Sequence, residues 1–212
     1  LLVSAVEHGV LVVCVTARAD TSPGEGINLA IDRLTDGVTH IWILHDDVEV
    51  RRDSLTCMLR EASRKPHPDV LYPTLLKPAR HNYPEFIDEQ GQSVSTGGAR
   101  VLPVVDRGDI DQKQADPGPI LGGSTAGMFV RVDVWRRLGG FDPALPLFRD
   151  GVEFGWRANE AAWVVRTGRR CTLHLRPAGR GWPRESHLAP RPDVTARRAG
   201  RRMVAARSGR PP

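Results

Sequence analysis

Two groups of acids have the types and spacing to do chemistry. The first is Asp46-Asp47, which with His45 closes the apolar run Ile41-Trp42-Ile43-Leu44. Adjacent carboxylates and an imidazole at a strand end can hold a divalent cation, or they can simply end the strand in water. The second is Asp150 and Glu153, three residues apart. On a helix that spacing puts both on one face, where they can handle a proton or stabilise the helix N-terminus. Between the two groups stands Gly122-Gly123-Ser124-Thr125, small residues that let a backbone approach a ligand closely. His174 follows a short apolar run and on that ground alone reads as structural.

These residues need elements to position them. The run Val10 to Ala17, VLVVCVTA, is short, continuous and valine-rich, the pattern of a strand covered on both faces of a parallel sheet. The polar ADTSPGEG reads as a turn, INLAIDRL (Ile27 to Leu34) as a helix, and THIWIL as a second buried strand that delivers HDD. Asp53 is placed to cap a helix through SLTCMLREA that stops at Pro66 to Pro68, and DVLYPTLL reads as the next strand. From Lys77 to Pro119 the pattern weakens, with short strand candidates near Phe86 to Ile87 and Arg100 to Val105, as in a long binding loop. AGMFVR is strand-like, VDVWRRLGG is a helix closed by Gly139-Gly140, and DGVEFGWRANEAA is a helix despite its two glycines. WVVRTG and CTLHL read as closing strands, and Asp142 as a turn cap.

The 212 residues, 40% hydrophobic and 26% charged, suffice for the core of one α/β domain. The net charge of +5 hides a division. From Arg166 onward there are 13 arginines and 2 acids, a balance of +11, whereas the preceding residues carry 17 basic and 23 acidic groups, a balance of −6. Residues 1–181 therefore form the expected domain, and 182–212 a basic tail with little to bury, expected to be disordered and able to meet anionic lipid or nucleic acid. Cys14, Cys57 and Cys171 are far apart and outside any C-x-x-C pair, so neither a disulfide framework nor a thiolate zinc site is expected and a reducing, cytoplasmic setting fits. Glu7 and His8 interrupt the apolar opening, which fits neither a signal peptide nor a spanning helix. The start at Leu1 leads us to expect a fragment with an N-terminal element missing.

From Val10 to Gly181 the chain resembles family 2 glycosyltransferases of the GT-A fold, especially bacterial cell-envelope members. The residues that carry the resemblance are STAGMFVRVDVWRRLGGFDPALPLFRDGVEFGWRA (Ser124 to Ala158), IWILHDD and GEGINLAI. It implies a three-layer α/β/α domain with a mostly parallel central sheet, here without its first strand. It also implies transfer of a sugar, with inversion, from a nucleotide-sugar donor to a carbohydrate or lipid-linked acceptor in cell-envelope polysaccharide synthesis, assisted by Mg²⁺ or Mn²⁺. Asp46 and Asp47 match the middle and last positions of the family's D-x-D motif, and His45 stands where its first acid belongs.

The resemblance assigns donor binding to Asp46, Asp47 and Arg180, and metal binding to Asp47, His45 and His174. Gly123, Ser124 and Trp156 fall on the acceptor side, the indole face suiting a sugar ring if it is not packed with Phe148 and Phe154. At the acceptor-side helix Asp150 matches the first acid and Glu153 a later one, whereas Gly151 occupies the position of the general base. Either Asp150 or Glu153 would have to substitute. A second class is therefore a catalytically impaired remnant or nucleotide-sugar-binding domain, in which case Gly151→Asp would raise transfer. A third is a binder of nucleic acid or of the inner face of the membrane through the tail.

Overall fold

A computed structural model describes residues 22–34, 36–77, 84–102, 105–114, 118–145 and 149–176. The strand expected at Val10 to Ala17, Cys14, Phe148, Arg180 and the tail at 182–212 lie outside the described residues.

Helix α1 (Pro23–Ile31) starts earlier than the periodicity indicates. Ser22 caps it by accepting the Glu25 N–H at 3.2 Å, and Pro23 occupies the first turn, where its missing N–H is not needed. Strand β1 (His40–Trp42) follows, then β2 (Val48–Glu49) and α2 (Ser54–Ala62). Asp53 sits at the N-cap of α2 but makes no capping bond with its side chain; the Ser54 hydroxyl instead accepts the Arg51 N–H and donates to the Thr172 carbonyl. The chain continues through β3 (Val70–Lys77), β4 (Phe86–Glu89), β5 (Ser93–Val94), β6 (Arg100–Val101) and β7 (Phe129–Arg131). Helix α3 (Val132–Leu138) ends at Gly139, whose φ of 76° is the left-handed C-cap expected of a glycine there. Last come α4 (Asp150–Glu160) and β8 (Val165–Leu175), a single strand where two were expected.

The main sheet has six strands, with β1-β7-β3-β8-β2 in order and β4 added to β3. Only the β3–β8 pair is parallel; β1–β7, β3–β7, β3–β4 and β2–β8 are antiparallel. The three-layer, mostly parallel architecture is thus overturned: this is a mixed α/β domain with a mostly antiparallel sheet and four helices among the described residues. Continuous apolar runs report burial on both faces and not direction, which is set by the connections. Here β7 enters between β1 and β3 running against both.

Along β3 successive side chains alternate between two apolar clusters, as the period of two requires. Val70 and Tyr72 pack with Ile41, Val130, Trp135, Phe141 and Phe154; Leu71 packs with Cys57, Met58, Phe129 and Cys171. Trp135, Phe141 and Phe154 form a ring cluster with centroids 4.7 to 5.7 Å apart, which joins α3 to α4. The expectation of unpaired cysteines is also corrected. Cys57 and Cys171 form a disulfide across 114 residues of sequence, with Cα atoms 5.5 Å apart, because α2 packs on β8. The cysteine count therefore no longer argues for a reducing compartment. No helix among the described residues is long and apolar enough to cross a membrane.

Candidate functional site

His45, Asp46 and Asp47 lie in the turn between β1 and β2, and the Asp47 carbonyl accepts the Arg176 N–H at 2.8 Å as β2 meets the end of β8. Asp46 is exposed and Asp47 half-buried. Neither carboxylate has a hydrogen-bond or ion-pair partner among the described residues, although both stand close enough to His45 to favour its protonated form. Burial outweighs them and holds His45 below the usual imidazole range. The His45 Nε2 shares a 2.8 Å hydrogen bond with the Thr125 hydroxyl.

His174 is engaged elsewhere. Its Nε2 lies 2.6 Å from Glu85 Oε1, and Arg51 approaches the same carboxylate at 3.7 Å. Among the described residues no three His, Cys, Asp or Glu side chains converge as a metal cage, so His45, Asp47 and His174 do not gather into the expected ligand set. Asp46 and Asp47 remain compatible with a cation completed by other oxygens, since Mg²⁺ commonly takes one or two carboxylates and fills its sphere with water and substrate phosphate.

The Gly122 to Thr125 loop is held from three sides. Gly122 exchanges backbone hydrogen bonds with Gln92 at 2.7 and 3.2 Å, and the Ser124 N–H donates to buried Glu89 at 2.7 Å. A Cβ at Gly123 would lie 2.7 Å from the Tyr72 ring, and one at Gly122 2.8 Å from the Val152 Cα. The glycines therefore serve close packing against Tyr72 and α4; the open approach to a ligand expected there is filled by protein.

Helix α4 supplies the other side of that contact. Gly151 and Gly155, four apart and so on one face, let the helix backbone rest on the loop. A Cβ at Gly155 would lie 2.7 Å from Gly122 Cα, and one at Gly151 would run into the Gly123 carbonyl oxygen while lying 3.1 Å from Thr125 N. The buried Tyr72 hydroxyl donates to the Gly151 carbonyl at 2.7 Å. This packing accounts for two glycines in a helix, each of which costs about 1 kcal/mol relative to alanine. Position 151 has no room for the side chain that the resemblance places there.

The two acids of α4 have different fates. Glu153 is bound at both oxygens by Arg157, at 2.5 and 2.7 Å, and the same guanidinium donates to the Leu138 and Gly140 carbonyls. It ties α4 to the end of α3. Asp150, only 8% exposed, faces the first turn of α1: a Cβ at Gly24 would lie 3.1 Å from its Oδ1. Burial, with Glu153 and Asp142 nearby, pushes its carboxyl up to about 6. No other side chain among the described residues hydrogen-bonds to it.

Trp156 is half-buried and belongs to none of the ring pairs among the described residues. Asp142 caps its turn as expected, accepting the Ala144 N–H at 2.9 Å. Sequence reading missed Glu89, one acid in a polar stretch with no periodic signal. It also passed over the Glu153–Arg157 pair, whose spacing of four was a readable sign. No protein-family model matches the chain, and no curated protein matches it.

Proposed function

We propose that the domain is a glycosyltransferase that moves a sugar from a nucleotide donor to a carbohydrate or lipid-linked hydroxyl with inversion. One arrangement supports this reading. The Gly122 to Thr125 loop touches His45 of the acidic turn on one side and Gly151 of α4, next to Asp150 in sequence, on the other, so two carboxylates without partners among the described residues and a buried, proton-accepting Asp150 come from elements that meet the same loop. Separate donor and acceptor groups about one loop are what a displacement reaction between two bound substrates requires.

Asp150 takes the role of general base. The acceptor hydroxyl oxygen attacks the anomeric carbon and the bond from that carbon to the diphosphate oxygen breaks. The nucleoside diphosphate leaves with the electron pair, and Asp150 receives the hydroxyl proton. A carboxyl group near 6 is ionised at neutral pH yet more basic than an ordinary aspartate, which suits that transfer. Glu153 is unsuited to it, since Arg157 occupies both of its oxygens. Asp47, with Asp46 beside it, would hold Mg²⁺ or Mn²⁺ together with diphosphate oxygens; the cation supplies Lewis-acid stabilisation of the leaving group. The impaired-remnant reading rested on the missing side chain at Gly151 and on the expected loss of the first strand; an Asp150 able to accept a proton answers the first of these.

The test is calorimetry of UDP, GDP and dTDP binding with and without Mn²⁺, on the wild type and Asp47→Ala. Binding that needs Mn²⁺ and weakens at least tenfold, about 1.4 kcal/mol, in the variant is expected. Metal-independent binding, or equal binding by both proteins, would refute the donor assignment.

A further inference from the structure

We infer that Glu89 is a positioning residue for this site, an assignment that rests on the glycosyl-transfer reading. Glu89 ends β4 and is 4% exposed. A buried carboxylate is costly unless its oxygens are satisfied, and those of Glu89 are satisfied by the loop and its support. Oε1 accepts the Ser124 N–H at 2.7 Å; Oε2 accepts Gln92 Nε2 at 2.5 Å and lies 3.8 Å from Arg100 Nη1. Gln92 in turn holds Gly122 through paired backbone bonds. The carboxylate therefore grips the loop at 124 directly and at 122 through Gln92.

What the loop does next gives the grip its consequence. The Ser124 hydroxyl accepts the Ala126 N–H at 3.2 Å within the loop, whereas its backbone N–H makes the bond to β4. Thr125 presents its hydroxyl to His45, and Gly123 and Thr125 form the floor on which Gly151 rests. A displacement at Ser124 thus moves the partner of His45 and the seat of Asp150 together. A charged acceptor is suited to this because its hydrogen bond to a backbone N–H is about twice as strong as a neutral one. Glu89 fixes the distance between the donor and acceptor halves without touching either substrate.

The experiment uses the full chain and the isosteric Glu89→Gln variant. Amide hydrogen exchange at Ser124 and Thr125 should speed up by about tenfold while Val70 and Val130, in the core, keep wild-type protection. The Kd for the nucleoside diphosphate with Mn²⁺ should rise about five- to tenfold. Glu61→Gln, which neutralises another buried acid, on α2 and paired with Arg64 just beyond that helix, should leave that Kd unchanged. Should Glu89→Gln fail to fold, Gln92→Met removes one donor to the carboxylate and is expected to give the same local pattern at about threefold. Wild-type exchange at Ser124, an unchanged Kd, or an equal loss in Glu61→Gln overturns the assignment. A wild type that binds none of UDP, GDP and dTDP sinks the transfer reading and the role of Glu89 toward a donor, while the exchange measurement alone still decides whether Glu89 holds the loop.

Discussion

Replacing Asp150 by asparagine should stabilise the protein while removing the base proposed above. The carboxyl is pushed from an ordinary 3.8 to about 6 by burial and by Glu153 and Asp142. Folding therefore raises the affinity of this group for its proton, and the ionised form is the one the folded state disfavours. Below the ordinary value the group is neutral in both states and costs nothing. As pH rises through 4 to 6 the unfolded chain ionises first, and stability is lost until the folded carboxyl ionises too. A gap of about two units at 1.36 kcal/mol each gives a penalty of about 3 kcal/mol above pH 7 and about 0.5 kcal/mol at pH 4. Solvent screening at the incompletely enclosed carboxyl lowers this, so about 3 kcal/mol is an upper bound. Asparagine has no charge to desolvate, so urea unfolding from pH 4 to 8 should show Asp150→Asn gaining on the wild type as pH rises. By pH 8 the gain corresponds to about 5–10 °C in Tm for a chain of this length. The same variant should lose on the order of 10²- to 10⁴-fold in transfer rate, and the wild-type rate should rise through an apparent pKa near 6. A variant no more stable than wild type at pH 8, or a difference independent of pH, would show that Asp150 is not held in a desolvating site.

Gly151→Asp should not rescue transfer, contrary to the register of the resemblance, because its Cβ would meet the Gly123 carbonyl oxygen; a loss of about 1–3 kcal/mol from overpacking is expected in thermal unfolding, and a stable, more active variant would refute the packing described. Tyr72→Phe should cost about 1–3 kcal/mol in denaturant unfolding, since the buried Gly151 carbonyl loses its 2.7 Å donor; a change under about 0.3 kcal/mol would mean that the carbonyl finds another partner.

Local order is where sequence reading and structure agree most closely. The stop of α3 was legible because Gly139 can adopt the left-handed conformation without steric cost. The β1 run was legible because its apolar residues are bounded by polar turns, and α4 was read as a helix despite its two glycines. The start of α1 was misplaced, although Ser22 and Pro23 carried the signal, because the polar residues around them outweighed it. The site divided in the same way. HDD and the acids of α4 stood out by type and spacing, and the spacing of four between Glu153 and Arg157 was readable, but nothing along the chain shows that Asp150 is left without a partner side chain among the described residues.

By itself the sequence determined where the helices and the longer strands broadly lie, which side chains are apolar enough to be buried, and which acids stand at element ends where chemistry is possible. These depend on periodicity, capping and turn residues, all interactions within a few positions of the chain. Only the tertiary structure decided that the sheet is mostly antiparallel, that Cys57 meets Cys171 across 114 residues, and that Gly151 is a packing surface for the Gly122 to Thr125 loop. It also decided that Glu89 grips that loop and that burial gives Asp150 its raised pKa. Strand direction, close approach and desolvation depend on residues distant in sequence, and local pattern holds no record of them.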